Sequence, residues 1–354
     1  MSPLTGLGLD WNVQAINIPS LRDSAQDLEL GPLRLRGGYS MLTRITAAAF
    51  LMTVCVVVTY AQTPPTPTPS PTPAATPPQP KPVPAWLDRR VRAEAAGFKG
   101  NVYLYAKNLD TGAVYDFGGD EPVRTASTIK VAVMVEAFAR VAEGRAKWSD
   151  ELVLSKAARY AGSGVLNELT DGLRITLRDA VTLMMELSDN TATNMVLDYL
   201  TTDAVNARME SLGFKQTRIM RRVGGGGVSR EGQVEANKRF GLGRTTPREL
   251  ATLLERLERG EIVNPEVSKE MLDLMKREQG TDGIWRNLWR VPKATKSGAL
   301  DALRSNVGLI YHPRGRIALA VTCDDMPEPE WTPDNPAHLL MSRLSELIID
   351  GLGK

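Results

Sequence analysis

The stretch RTASTIKVAVMVEAF, residues 124–138, joins a short polar opening to a long apolar run. Thr125 and Ser127 are residue types that favour the first turn of a helix, and the apolar residues after them predict a largely buried helix. Positions three apart share one face of a helix, so Ser127 and Lys130 are expected to point the same way. Ser127 would then lie at the positive end of the helix dipole.

The pair of Ser127 and Lys130 has two interpretations. In the first, a capping serine is followed by a lysine whose ammonium group reaches out to solvent. In the second, a nucleophilic serine is activated by a lysine of lowered pKa. The pattern Ser-x-x-Lys is short and built from common residues, so on its own it favours the first interpretation. The rest of the chain has to decide between them.

Composition excludes several classes of function. The chain of 354 residues carries 43 Lys and Arg against 41 Asp and Glu, and no basic stripe indicates a nucleic-acid partner. With Cys55 and Cys323 as its two cysteines, it offers no cysteine-histidine zinc site, and we predict neither metal nor cofactor. A Ser-His-Asp triad would need His312, in a turn, or His338, at the start of the last helix; both are expected on the surface. An activated serine would therefore use a different base.

The N-terminal region predicts export. From Met41 the sequence has a positive residue, Arg44, then an apolar run at 45–58 and a small-x-small site, so 41–61 is predicted to be a signal peptide. Residues 1–40 would then be untranslated or disordered. The apolar run is short for a span of ~20 residues, which favours cleavage and a secreted or periplasmic protein. An uncleaved membrane anchor is the alternative.

Residues 62–84 predict a linker. Eleven of these 23 residues are proline, a composition that favours an extended polyproline conformation and buries little apolar surface. Such a segment would act as a semi-rigid tether that holds the folded part away from a membrane or the wall.

Residues 85–354 are predicted to form one catalytic domain of the α+β class. A strand hairpin near its start, NVYLYAKNLDTGAVYDFG, and three strand-like runs near its end enclose a long helical region. We expect an antiparallel five-stranded sheet flanked by helices, plus an inserted all-helical lobe. The α/β lobe would comprise about 85–122 and 283–354, and the helical lobe about 123–282. The cleft between the lobes is the expected site, in a protein expected to be a monomer.

Two further short motifs stand out. Ser188-Asp189-Asn190 separates two apolar helices, and Lys296-Ser297-Gly298 lies on a strand-like run. Taken singly, the first is typical of a helix-breaking turn and the second of an edge strand whose lysine discourages aggregation. Ser-x-x-Lys and these two motifs each occur once, in this order, with 61 residues from Ser127 to Ser188 and 108 from Ser188 to Lys296.

In combination the three motifs resemble those of the penicillin-recognising serine enzymes, specifically class A β-lactamases and their close relatives. The resemblance extends to GSGVLNEL before the second motif, SDNTATN around it and TTPREL at 245–250, and it covers essentially all of 85–354. It implies a serine β-lactamase-like or DD-peptidase-like fold. The ligand would be a β-lactam or a peptidoglycan peptide, bound without a cofactor.

The resemblance also implies catalytic roles. Ser127 would be the nucleophile, Lys130 its base and Ser188 the relay that protonates the leaving nitrogen. Asn190 would orient Lys130 and the side-chain amide of the substrate. The oxyanion would lie between the backbone N–H groups of Ser127 and Ala299.

Four residues on the last strands would bind the substrate. Lys296 would attract the substrate carboxylate and Ser297 would hydrogen-bond it, while Gly298 would let the substrate lie flat against the strand. Arg304 would reach the same carboxylate from the next strand. A surface arginine in a turn is the alternative for Arg304.

One part of the family pattern is missing. A class A β-lactamase has a glutamate in a Glu-x-x-Leu-Asn loop that activates the deacylating water, whereas this chain has VGGGGVSREGQVEANKRFGLGRTTP. Counting back from Thr245 puts that position near Arg230, so we predict Glu231 as the base, ahead of Glu235. Slow β-lactam hydrolysis is the expected activity. The alternatives are a D-Ala-D-Ala peptidase or transpeptidase-like protein with slow deacylation, and a non-catalytic module that binds β-lactam or wall peptide.

Overall fold

A computed structural model describes residues 82–353. The predicted signal peptide, the residues before it and nearly all of the linker lie outside this range. The strands are β1 (Asn101–Asn108), β2 (Val114–Phe117), β3 (Val123–Arg124), β4 (Glu151–Val153), β5 (Arg174–Thr176), β6 (Arg218–Ile219), β7 (Gly243–Thr245), β8 (Lys293–Leu300), β9 (Leu303–His312) and β10 (Gly315–Asp324).

The helices of this range begin at the predicted opening helix and end at the predicted C-terminal one. They are α1 (Ala85–Ala96), α2 (Lys130–Ala142), α3 (Leu177–Glu186), α4 (Asn190–Leu200), α5 (Thr202–Ser211), α6 (Arg230–Gln233), α7 (Pro247–Glu258), α8 (Pro265–Met275) and α9 (Pro336–Leu352). Short 3₁₀ helices cover Ala126–Ile129, Leu166–Glu168, Glu235–Phe240 and Gly283–Trp285. None of the helices in 82–353 is long and apolar enough to cross a bilayer.

The main sheet has five antiparallel strands in the order β2-β1-β10-β9-β8, as the sequence predicts. The predicted hairpin is β1 and β2, and the Asn108 side chain stabilises its turn by accepting hydrogen bonds from the backbone N–H groups of Asp110 and Thr111. Tyr105 on β1 pairs with Ala320 on β10, so strands from the two ends of the domain meet at the centre of the sheet.

Helices cover both faces of this sheet, because both faces carry apolar side chains. On one face α1 and α9 pack against it; Leu87 and Val91, four apart on α1, are fully buried there. On the other face lies α7, whose Leu250 and Leu254 share a core with Tyr105. Helix α7 thus packs on the sheet although it lies within the segment predicted as the helical lobe.

The segment between β2 and β8 forms the second part of the molecule. Its central helix is α2, in which every residue from Lys130 to Ala139 is buried. Besides helices this segment carries two small sheets, β3-β7-β6 and β4-β5. The TTP motif begins α7: the Thr246 hydroxyl accepts a hydrogen bond from Glu249 N, and Pro247 occupies the first turn.

Candidate active site

A cavity of about 450 Å³ lies where the inserted segment meets the edge of the main sheet. Ser127, Ser188 and Asn190 line it from the inserted segment, and residues 297–299 line it from β8. The three motifs, far apart in the sequence, therefore meet at one cavity, which is the arrangement the resemblance implies.

Ser127 lies in the 3₁₀ helix that runs directly into α2. The residue before it, Ala126, has a φ of 45°, which is unusual for a residue with a side chain. The Ser127 side chain caps neither helix and makes no hydrogen bond to any other residue of 82–353. The hydroxyl is therefore available to a ligand, and the capping interpretation of Ser127 is wrong.

Lys130 is completely buried, so the interpretation as a lysine that reaches solvent is also wrong. Its Nζ donates hydrogen bonds to Ser188 O at 2.6 Å, Ser188 Oγ at 3.2 Å and Asn190 Oδ1 at 3.1 Å. Burial lowers the pKa of Lys130 well below its ordinary value; the charge of Lys296 lowers it further, and Asp189 opposes the shift. An amine that is readily neutral can accept a proton from a hydroxyl.

Asp189 holds the second motif in place. Its Oδ1 accepts a hydrogen bond from Ala192 N at 2.8 Å and so caps α4. Its Oδ2 accepts from Val165 N at 2.7 Å and Leu166 N at 2.9 Å, which ties the neighbouring loop to the motif. The carboxylate is fully buried and serves structure, while the residues on either side of it face the cavity.

The hydrogen bonds of the Asp189 carboxylate hold its neighbours Ser188 and Asn190 in place. Ser188 has a φ of 55°, a strained value that turns the chain between α3 and α4. The Asn190 side chain accepts a hydrogen bond from Lys130 and donates one to Ala161 O at 3.0 Å. The amide thus contacts the amine and adds one wall of the cavity.

The Lys-Ser-Gly motif lies on β8, the edge strand of the sheet. Lys296 is nevertheless completely buried, so it is not a solvent-exposed lysine that protects the edge. A Cβ atom on Gly298 would lie 2.8 Å from Thr125 O and 2.9 Å from Ser127 N. Only glycine lets the strand pass this close to the backbone of the predicted nucleophile.

Glu278, which the sequence analysis missed, contacts this motif. Its side chain is buried, and its Oε1 accepts hydrogen bonds from Lys296 Nζ at 3.2 Å, Ser297 N at 3.2 Å and Ser297 Oγ at 2.5 Å. Burial by itself would raise the pKa of Glu278, but Lys296 and the Ser297 hydrogen bonds hold it below its ordinary value. Burial also lowers the pKa of Lys296, against the opposing effect of Glu278. In the sequence Glu278 stands in the charged run KREQG, which gives no sign of burial.

Neither of the predicted deacylating glutamates lines the cavity. The Glu231 side chain is 39% exposed, and its Oε2 accepts a hydrogen bond from Asn237 Nδ2 at 3.0 Å. Glu235 is 84% exposed and pairs with Lys238. The role of Glu231 stays a prediction that this placement does not favour.

A loop that leads into the glycine run, and includes its first residue, lines the cavity instead. It contributes Arg221, Val223 and Gly224, none of which carries a carboxylate. Asn194 fixes this loop, because its side chain accepts a hydrogen bond from Val223 N at 2.9 Å and donates to Val223 O at 3.2 Å. Gly224 has a φ of 80°, and a Cβ there would lie 2.1 Å from the ring of Tyr160, a further cavity residue that sequence analysis missed.

Arg304 is neither a surface residue nor a wall of the cavity. It lies on β9 opposite Ala299, is 2% exposed, and donates hydrogen bonds to the carbonyl groups of Leu300, Leu303 and Glu330. Its guanidinium group lies 4.6 Å from the ring centre of Trp331, which does line the cavity. The predicted contact of Arg304 with a substrate carboxylate stays untested, and its hydrogen bonds are already directed elsewhere.

The expectation that His338 lies on the surface is wrong. His338 lines the cavity, and its side chain is 17% exposed. Burial lowers its pKa, against the opposing effect of Asp282, whose Oδ2 lies 3.8 Å from His338 Nδ1. No hydrogen bond joins His338 to Ser127 or Lys130 in the described part of the chain. The amine of Lys130 therefore remains the basic group nearest the second motif.

The remaining residues suited to metal binding are few. Within 82–353 no group of three or more His, Cys, Asp or Glu side chains is arranged to hold a metal ion. Cys323 is buried and unpaired, and Cys55 lies outside the described residues. The Ser188 hydroxyl contacts the buried amine of Lys130, and the Ser127 hydroxyl lines the same cavity as Ser188.

The fold and this motif geometry define the class: a serine enzyme of the class A β-lactamase type. The sequence model of the Beta-lactamase enzyme family matches residues 86–352, so the chain belongs to that family. Beta-lactamase CARB-3 of Pseudomonas aeruginosa is 23% identical over 230 residues, which make up 64% of this chain and 77% of the relative.

Two solved structures are similar to the chain. A beta-lactamase from Sphaerobacter thermophilus is 27% identical with a TM-score of 0.65, covering 75% of this chain and 96% of that one. A mutant of PBP-A, in an acyl-enzyme complex with penicillin-G, is 26% identical with a TM-score of 0.65, covering 75% of this chain and 95% of that one.

Proposed function

We propose that this protein reacts with β-lactams to form an acyl-enzyme on Ser127 and hydrolyses that ester slowly. The observation that carries the proposal is the burial of Lys130, whose lowered pKa and contacts with Ser188 and Asn190 place a usable base directly behind two residues that line the same cavity as Ser127. A lone surface serine and lysine would offer no such base.

The reaction proceeds by three proton transfers. Ser127 Oγ attacks the carbonyl carbon of the strained amide while its proton passes to the neutral Lys130 Nζ. The amide C–N bond then breaks, and the leaving nitrogen takes a proton from Ser188 Oγ. Ser188 is re-protonated by Lys130, whose Nζ lies 3.2 Å away, so the amine returns to its neutral form.

The oxyanion is stabilised by backbone N–H groups. We assign them to Ser127 and Ala299, both of which line the cavity and which the close passage of Gly298 brings together. One such donor typically contributes ~10²–10³-fold in rate, because it is already oriented where charge develops.

Deacylation is expected to be the slow step. Hydrolysis of the ester requires an activated water molecule, and a carboxylate base typically contributes ~10²–10⁴-fold. The cavity-lining loop offers Val223, while Glu231 is bound to Asn237 away from the cavity. Asp282 is the one acidic residue among the described residues that line the cavity, and its Oδ2 lies 3.8 Å from His338 Nδ1.

This absence of a carboxylate from the loop favours a second candidate, a penicillin-binding enzyme that acts on D-Ala-D-Ala peptides. The capture of the PBP-A mutant as an acyl-enzyme with penicillin-G supports a long-lived ester in a structure of this kind. Export through residues 41–61, a tether at 62–84 and a monomeric state remain parts of the proposal that rest on the sequence.

Labelling with a fluorescent penicillin tests the proposal. The wild-type protein should become covalently labelled and lose the label slowly, while Ser127→Ala should stay unlabelled. Labelled Ser127→Ala would show that the nucleophile is a different residue. An unlabelled wild-type protein would favour the non-catalytic binding module, against which the intact Ser127, Lys130, Ser188 and Lys296 count.

A further inference from the structure

Glu278 engages both groups that were expected to receive a ligand carboxylate. Its Oε1 accepts hydrogen bonds from the Ser297 hydroxyl at 2.5 Å, the Ser297 N–H at 3.2 Å and the Lys296 ammonium at 3.2 Å. Its Oε2 accepts from Gly280 N at 3.2 Å. Only 5% of Glu278 is exposed, so the carboxylate is fixed behind the edge strand.

These contacts use up the donors of Ser297. A serine hydroxyl has one proton, and Ser297 gives it to Glu278, so towards the cavity its oxygen can only accept. A ligand carboxylate needs a donor at this place. Lys296 does not supply one: it is completely buried, does not line the cavity, and its charge is balanced by Glu278.

A carboxylate at Ser297 would also meet a like charge. Because Ser297 Oγ lies 2.5 Å from Glu278 Oε1, an anion hydrogen-bonded to that hydroxyl would sit within about 5 Å of the Glu278 carboxylate. Like charges at ~4–6 Å change an ionisation equilibrium by about tenfold or more. Of the charged cavity residues, Asp282 adds a second negative charge and Arg221 a positive one, so the wall has no strong excess of positive charge.

We infer that Glu278 is a specificity-determining residue that withholds Ser297 and Lys296 from a ligand carboxylate, so that the cavity prefers acylating ligands whose group at this place is neutral, such as an ester or amide. The inference rests on the proposed acylation of Ser127. Glu278 acts through Ser297 and Lys296, and is therefore a positioning residue.

The experiment compares benzylpenicillin with its methyl ester. The acylation reaction is quenched at set times and followed by intact-protein mass spectrometry. This gives second-order rate constants for the wild type, Glu278→Gln and the control Glu186→Gln. Glu186 pairs with Arg277 in the same region and does not line the cavity, so its substitution controls for loss of a nearby carboxylate. The readout is the ratio of acid to ester, which a general loss of stability would not change.

We expect the wild-type protein to react with the methyl ester at least as fast as with benzylpenicillin itself. Glu278→Gln should raise the acid-to-ester ratio by about tenfold or more, and Glu186→Gln should leave it unchanged. An unchanged or lower ratio in Glu278→Gln would overturn the inference while leaving acylation of Ser127 intact. If Glu278→Gln does not fold, a wild-type preference for the acid still overturns it. If neither ligand adds its mass to the wild type, the proposed function fails and the inference with it.

Discussion

The ammonium nitrogen of Lys130 lies 2.6 Å from the backbone oxygen and 3.2 Å from the hydroxyl oxygen of Ser188. One buried amine thereby joins the first and second motifs and makes them a single acid–base unit. The relationship explains why the lysine belongs at the start of a buried helix: the low-polarity surroundings that disfavour its charge are those that make it a base.

The pH dependence of acylation follows from this burial. Since the pKa of Lys130 is lowered, its neutral form accumulates at lower pH than for an ordinary lysine. The acylation rate should rise with pH and level off well below the usual lysine pKa of about 10.4. Rate constants for acylation measured across the pH range test this, and a rate that still rises steeply at that pH would contradict it.

Lys130→Arg tests whether Lys130 acts as a base or only as a positive charge. Arginine keeps the positive charge but does not give up its proton, so it cannot serve as the base. Acylation should fall by ~10²-fold or more, the usual contribution of a general base. An Arg variant that keeps most of the acylation rate in the labelling assay would show that the charge of Lys130, and not its basicity, is what matters.

Gly298→Ala should suppress acylation. The added methyl group would lie 2.9 Å from Ser127 N and 2.8 Å from Thr125 O, so either β8 or the nucleophile must move. Gly97→Ala is the control, because a Cβ there meets only ordinary contacts beginning at 3.6 Å. Labelling at equal protein concentration should be lost in the first variant and kept in the second; equal labelling of both would contradict the close approach.

A carboxylate introduced at position 223 should shorten the lifetime of the acyl-enzyme, whereas removal of the Glu231 carboxylate should not change it. Val223→Glu puts a carboxylate on a cavity wall fixed by Asn194, and we expect the ester lifetime to shorten by about tenfold or more. Val223→Gln is the isosteric control and should leave the lifetime long. Glu231→Gln should leave it unchanged, whereas an ester that becomes longer-lived in Glu231→Gln would restore Glu231 as the base.

Asp189 should stabilise the folded protein as well as hold the second motif in place. Its removal in Asp189→Ala leaves the backbone N–H groups of Val165, Leu166 and Ala192 without their acceptor, at a cost of about 3 kcal/mol in the free energy of unfolding. Asp198→Ala, on the same helix, removes a half-exposed ion pair with Arg222 and should cost less than about 1 kcal/mol. Urea denaturation of both variants compares these costs, and equal losses would contradict the structural role of Asp189.

Much of the fold follows from local sequence patterns. The alternating hairpin, the strand runs at both ends and the apolar helices lie where they were predicted, because burial and turn chemistry act over short stretches. The meeting of Ser127, Ser188 and residues 297–299 was predicted because their motifs are specific in combination, whereas each one singly has a structural explanation.

Two features of the cavity could not be predicted from the sequence, and each has a physical cause. Counting back from Thr245 predicts Glu231 as the base, a prediction that stays untested, but the Glu231 side chain binds Asn237 and does not line the cavity. The residues of this region that line the cavity are Arg221, Val223, Gly224, Gly241 and Leu242, none of which carries a carboxylate. Glu278 could not be found from the sequence, because a carboxylate is buried only by its tertiary partners, and those lie 18 and 19 residues further along the chain.

Slow hydrolysis of an acyl-enzyme on Ser127 is tested by the intact mass of the protein, followed over time after mixing with benzylpenicillin. We expect the wild type to gain the mass of one whole ligand, peptide mapping to place it on Ser127, and the adduct to persist many times longer than it takes to form. Rapid return to the unmodified mass with continued ligand consumption would contradict slow deacylation. An adduct at another residue, or none, would contradict the assignment of Ser127.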